Sequence, residues 1–212
     1  MKQYDIKKSY LIMRQALGIL GMILAPSVLI VGFLFGRGMN PEGWYCSISA
    51  TYYSNAGLIF TGLMYATGVF LISYKGYDLW DEVICSLSGI FGLILASCPV
   101  KIDSSADFIG VFGLPKDISN VVHCISALLF FISLAVNIVV NFTKGDSGEK
   151  KNIRNRIYWI CGILMAVSCV GVVIFSFWPV WDTAIIVFEF ISLCSFGIVW
   201  LIKGRALSIL ND

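Results

Sequence analysis

Few side chains in this sequence can do chemistry, and the candidates converge on three short stretches. His123 is the single histidine, and Glu189 is the single charged residue of 183–202. A third group comes from the uncharged stretch CSISATYYSN (46–55), rich in hydroxyls. A serine, an imidazole and a carboxylate are the parts of a nucleophile, base and orienter for acyl transfer. In that reading Ser47 or Ser49 attacks, His123 takes the proton and Glu189 orients. The same side chains, with Thr51, Tyr52 and Tyr53, also suit a pocket that hydrogen-bonds the head of an amphipathic ligand. Each candidate has a plainer reading as well. Glu189 serves equally as a structural anchor, His123 as a satisfied polar residue, and 46–55 as an ordered loop with a helix cap.

Other chemistries find little support. One histidine cannot build the multi-histidine centre of a zinc-dependent membrane amidase, and no metal site is expected. The seven cysteines form no CxxC pair. Cys46, Cys98 and Cys124 map to one face, which leaves one disulfide open. No phosphate-binding loop or dinucleotide fingerprint appears, so no cofactor is expected. A Ser88-Gly89 dyad with His123 is disfavoured because the two lie near opposite membrane faces. Asp78, Asp81 and Glu82 in KGYDLWDE (75–82) could hold a cation, but they fit the start of a helix better.

The elements that must carry these residues follow from hydropathy. Apolar residues make up 58% of the 212 positions and charged residues 13%, about half the usual density for a soluble domain. Residues 15–36, 83–100, 118–143 and 157–181 contain no charge, and 183–202 contains only Glu189. Each is long enough for a helix crossing the hydrocarbon core, which needs roughly 20 residues. Residues 43–74 are also uncharged, and at 32 residues exceed one span. The expectation is therefore an all-α polytopic membrane protein, a bundle of six transmembrane helices near 15–36, 56–74, 83–100, 119–142, 157–180 and 183–202. Segments 1–14 and 203–212 flank it as a basic N-terminus and a tail. The first segment is too long for the apolar core of a signal peptide and is read as a retained helix, perturbed at Pro26.

Twelve of the fifteen basic residues fall in the N-terminus, the second and fourth loops and the tail. Basic residues favour cytoplasmic loops, so both termini are expected in the cytoplasm. Topology accounts for these charges, and nucleic acid is not an expected partner. Trp44, Tyr45, Tyr52, Tyr53, Trp178 and Trp181 then mark the outer edge, and Tyr74, Tyr77, Trp80, Tyr158, Trp159 and Trp200 the inner one. Glu189 lies about 9 Å and His123 about 6 Å inside the outer edge. An acid at such depth usually faces a partner or a wet cavity. Whether the fourth and sixth helices are neighbours is open. The loop KGDSGEKKNIRNR (144–156) reads as a polar connector, and Gly62, Gly68, Gly89 and Gly92 as sites of close helix packing.

SISATYY (47–53), YKGYD (74–78), the histidine of NVVHCISALLFF (120–131), RNRIY (154–158) and FEF (188–190) occur in this order along the chain. Together with the topology, this pattern resembles the DRAM/Frag/Sfk group of six-helix membrane proteins and its bacterial relatives. The resemblance spans nearly the whole chain and implies a lipid-facing role without naming a reaction. The compact loops suggest a bacterial plasma membrane protein. The expected function is binding or sensing of a lipid or small amphipath in an outer-leaflet pocket made by Ser47, Ser49, Thr51, Tyr52, Tyr53, His123 and Glu189. A membrane-embedded lipid hydrolase or acyltransferase is the alternative. A homo-oligomeric channel, transporter or effector, or a partner of another membrane protein, is a third. Membrane lipids are the expected partners.

Overall fold

A computed structural model describes residues 3–35, 46–76, 78–101, 106–145 and 148–210, with side chains from Lys8 onward. Lys2, Arg37, Trp44, Tyr45 and Tyr77, and the side chain of Lys7, lie outside the described residues. The chain is all-α, with six α-helices among those residues. These are α1 (Gln3–Phe35), α2 (Gly57–Ser73), α3 (Leu79–Ser97), α4 (Lys116–Val140), α5 (Glu149–Phe177) and α6 (Ala184–Lys203). Five are long and apolar enough to cross a membrane, and α2 is a shorter apolar helix of 17 residues. The protein is a helical membrane protein.

Short connections make α2 and α3, α4 and α5, and α5 and α6 run antiparallel. Each packs on its neighbours in sequence, and α6 returns to α1, so the bundle closes into a ring. α4 and α6 also meet across its interior. Gln15 donates to the Gly204 carbonyl at 2.8 Å, and Arg14 to the Tyr74 hydroxyl at 3.2 Å. The start of α1 and the ends of α2 and α6 therefore share one end, here the basic end; the opposite one is the far end. Small residues let backbones touch where lipid supplies no hydrophobic drive. A Cβ on Gly197 would stand 2.9 Å from the Gly18 carbonyl, and one on Gly68 would stand 2.9 Å from that of Gly89. Gly62 departs from its expected packing role, because it faces outward with nothing within 4 Å of its would-be Cβ.

Two helices begin earlier than hydropathy suggests. α1 starts at Gln3, and α5 at Glu149 rather than near 157. The apolar boundary marks where a membrane span begins, not where a helix begins. EKKNIRNR is rich in good helix formers, and Glu149 in the first turn offsets the helix dipole. Much of the expected polar connector is therefore helix.

The basic end is held by aromatics and by a capped loop. Tyr74, Tyr158 and Trp200, expected as interfacial anchors, are instead buried. Trp200 meets Tyr74 and Phe142 edge to face, with centroids 5.0 Å apart in each case. Trp80 and Trp159 remain exposed, as interfacial anchors would be. Asp78 caps α3 by accepting the Asp81 backbone N–H at 3.0 Å, and Lys144 reaches its other oxygen at 2.6 Å. Glu82 pairs with Lys75. The acidic cluster is thus a helix start. Asp81 itself is buried, with the Cys85 thiol 3.7 Å away, and Asn137 donates to that sulfur.

At the far end, a two-stranded hairpin, β1 (Phe108–Ile109) with β2 (Leu114–Pro115), joins α3 to α4. Gly110 turns it at φ +76°, and a Cβ there would strike the Ser97 carbonyl at 2.7 Å. Between α1 and α2, residues Ser49–Tyr53 form a short 3₁₀ helix that packs on both. This segment, the plug, extends SISATYY across the far end of the ring.

Candidate functional site

The plug brings the three candidate groups together. Its first turn is fixed locally, because the Ser47 hydroxyl accepts the Ala50 N–H at 3.1 Å and Thr51 donates to the Ile48 carbonyl at 2.6 Å. Helix starts leave N–H groups without partners. At the plug, Glu189 of α6 supplies one from across the fold, its Oε2 accepting the Ile48 N–H at 2.5 Å. The other carboxylate oxygen lies 3.5 Å from Ser49 Oγ, at the limit of a hydrogen bond.

His123 is buried on α4 and is held by the end of a neighbouring helix. α3 stops at Ser97, so its last carbonyls have no helical donor. The carbonyls of Leu95 and Cys98 both face Nδ1, at 2.9 and 2.7 Å. Carbonyl oxygens only accept, so Nδ1 carries a proton. Nε2 then points at Ser49 Oγ, 3.0 Å away. Ser49 stands between His123 and Glu189, and the expected His123–Glu189 contact is made through it.

Proton counting limits this chain of groups. A neutral His123 leaves Nε2 bare, so it takes the Ser49 hydroxyl proton. The hydroxyl then has no second proton for Glu189. Both contacts are filled only when one further proton is present, on the carboxyl or on the ring. The order also differs from an acyl-transfer triad, in which the carboxylate orients the histidine. Here the backbone of α3 orients His123, and Glu189 sits on the serine side. That corrects the orienter role expected for Glu189.

These groups open onto a cavity of about 510 Å³ at the far end of α4, α5 and α6. Ser47, Ser49, His123 and Glu189 all line it. Thr51, Tyr52 and Tyr53 lie outside its lining. Thr51 is fully buried and spent on the plug's own backbone, and the Tyr53 hydroxyl donates to the Val100 carbonyl at 2.8 Å. Tyr52 stacks edge to face on Tyr53 and packs against the core. Beneath the cavity, a void of about 30 Å³ between Leu24, Met64, Phe130 and Leu193 also touches Ser49 and Glu189.

Further polar groups line the cavity that the sequence reading missed: Asn120 and Cys124 on α4, Ser176 on α5 and Ser192 on α6. Their spacing held a signal. Asn120, His123, Cys124 and Ala127 share one face of a helix, as do Glu189 and Ser192. The remaining walls, including Ile125, Leu128, Phe131, Val172 and Val173, are apolar. Cys46, Cys98 and Cys124 are free thiols, so the disulfide left open by sequence is not formed. Ser88 bonds Ser133 at 2.7 Å, away from this site. Comparison with protein-family models, curated proteins and solved structures gives no match.

Proposed function

We propose that the protein binds or senses a lipid or small amphipathic ligand, with its head held at the Ser49–His123–Glu189 cluster. One observation carries this reading. Ser49, His123 and Glu189 meet on the wall of a largely apolar cavity of about 510 Å³, a size and character suited to a small-molecule ligand. The bias of basic residues puts that cavity in the outer leaflet, and the compact loops favour a bacterial plasma membrane. The resemblance to DRAM/Frag/Sfk proteins supports a lipid-facing role.

Native mass spectrometry with lipidomics on gently purified protein tests the proposal. A lipid retained by the wild type and lost from Glu189→Gln supports it. No enriched lipid in either protein refutes it.

A second reading, a lipid hydrolase or acyltransferase, is favoured by the Ser49–His123 hydrogen bond of 3.0 Å. Ser49 Oγ would attack an ester carbonyl while Nε2 takes its proton and returns it to the leaving alkoxide. Release of acyl product from a bound ester, abolished in Ser49→Ala, would establish turnover. Retained turnover in Ser49→Ala ends the serine mechanism.

A further inference from the structure

We infer that the ligand is a single-chain amphipath with an uncharged, hydroxyl-bearing head, of the monoacylglycerol class, whose chain leaves the site along a groove between α4 and α5. This rests on the lipid-binding reading of the same site and specifies what it takes.

The groove is a second cavity of about 410 Å³ that adjoins the first, the two sharing Leu128, Cys169 and Val173 as walls. It extends along the two helices past Ala135, Val136 and Val170, and Cys169 carries its only side-chain heteroatom. Buried Ala135 and Cys169 give it depth, while Val136 and Val170 are exposed at its rims. Polar chemistry thus lies in one of two adjoining spaces and hydrocarbon in the other. One groove serves one chain.

The head follows from charge. Among the described residues, the lining of the two cavities contains one carboxyl, Glu189, and neither lysine nor arginine. With the one proton that fills both contacts, the Ser49–His123–Glu189 cluster carries no net charge, so a phosphate, a carboxylate or an ammonium would lack a net counter-charge among the described lining residues. Ser47, Ser49, Asn120, His123 and Ser176 offer a mixture of donors and acceptors, which suits a polyol. Inside a bilayer the chain gains little by leaving other lipid tails. The groove therefore acts as an exit, sparing the bound molecule a collision that would otherwise keep its head from the cluster.

The test uses the full-length protein in lipid nanodiscs and a monoacylglycerol carrying a diazirine in mid-chain. Expected labelling maps to α4 and α5 near Val136 and Val170. Monooleoylglycerol competes for it, whereas oleate and oleylamine compete at least tenfold less well. Val170→Trp or Val136→Trp, each filling the groove from a lipid-exposed rim, reduces labelling at least tenfold. The same variants leave competition between two short-chain monoacylglycerols for the head cavity unchanged. Labelling spread evenly over every lipid-facing helix, crosslinks from the groove to a second copy of the chain, or stronger competition by oleate or oleylamine would overturn the inference. Should both tryptophan variants label normally while Glu189→Gln does not, the groove falls and the cavity reading survives. Labelling unaffected by any variant or competitor removes both.

Discussion

Ser49 Oγ lies 3.0 Å from His123 Nε2, although 74 residues separate the two in the chain. The serine arrives on a plug laid over the far end of the helix ring. The histidine arrives on α4, with its ring fixed by the unpaired carbonyls that end α3. The contact therefore reports how three elements sit together, and each can be perturbed separately.

His123 has two jobs that substitution can divide. His123→Leu leaves the Leu95 and Cys98 carbonyls without their donor, at an expected cost of about 1–3 kcal/mol. His123→Asn places an amide N–H where Nδ1 was and should recover most of that loss. It supplies no equivalent of Nε2, so ligand retention should remain impaired. Thermal unfolding of both variants in detergent, followed by lipid analysis, checks the division.

Ser47 and Ser49 should behave differently despite lying two residues apart. Ser47→Ala removes the acceptor for the Ala50 N–H, a capping loss of about 1 kcal/mol. Ser49→Ala removes the hydroxyl that bridges His123 and Glu189 and should abolish ligand retention as well as lower stability. If Ser47→Ala loses the ligand more completely than Ser49→Ala, the proposed head site is misplaced.

At the basic end, the Lys144 ammonium and the Asp81 N–H hold the Asp78 carboxyl below the ordinary aspartate value of about 4. A depressed folded value means the contribution is complete above that ordinary value and disappears as pH falls through the folded one. Asp78→Asn keeps a capping acceptor but loses the charge. The wild type should melt above the variant at neutral pH, with the gap closing as pH falls below the ordinary aspartate range. A gap independent of pH would mean that the charge contributes nothing.

Gly57 fixes the join between plug and α2. A Cβ there would lie 2.0 Å from the Tyr52 carbonyl, so Gly57→Ala must displace the plug. An overpacking cost of about 1–3 kcal/mol is expected, together with loss of ligand. Gly62→Ala, one turn further along the same helix, meets nothing and should be neutral or slightly stabilising. Equal melting temperatures for the two variants would contradict the placement of the plug.

Much of the bundle was legible because a bilayer imposes simple rules of length and charge. Uncharged runs located the described helices, and the 32-residue run 43–74, too long for one span, left its first part outside α2. Helix starts at Gln3 and Glu149 were not legible, since hydropathy registers lipid rather than hydrogen bonding. Tyr74, Tyr158 and Trp200 read as interfacial from position alone, yet the ring turns them inward. For the site, Ser49, His123 and Glu189 were recognisable by type and depth. Their order was not, because it depends on where α3 runs out of donors. Thr51 and Tyr53 show the reverse problem. A hydroxyl looks available in sequence until the backbone carbonyl that claims it is known.

The ring closes through α6, which is synthesised after the other five helices and carries Glu189. Until it inserts, the Ile48 N–H and Ser49 lack their acid partner, and the ring stands open beside α1. Completion of the polar cluster therefore coincides with closure of the ring. A chain arrested after α5 would keep His123 dressed by α3 and Ser49 but leave the plug without its tie to Glu189.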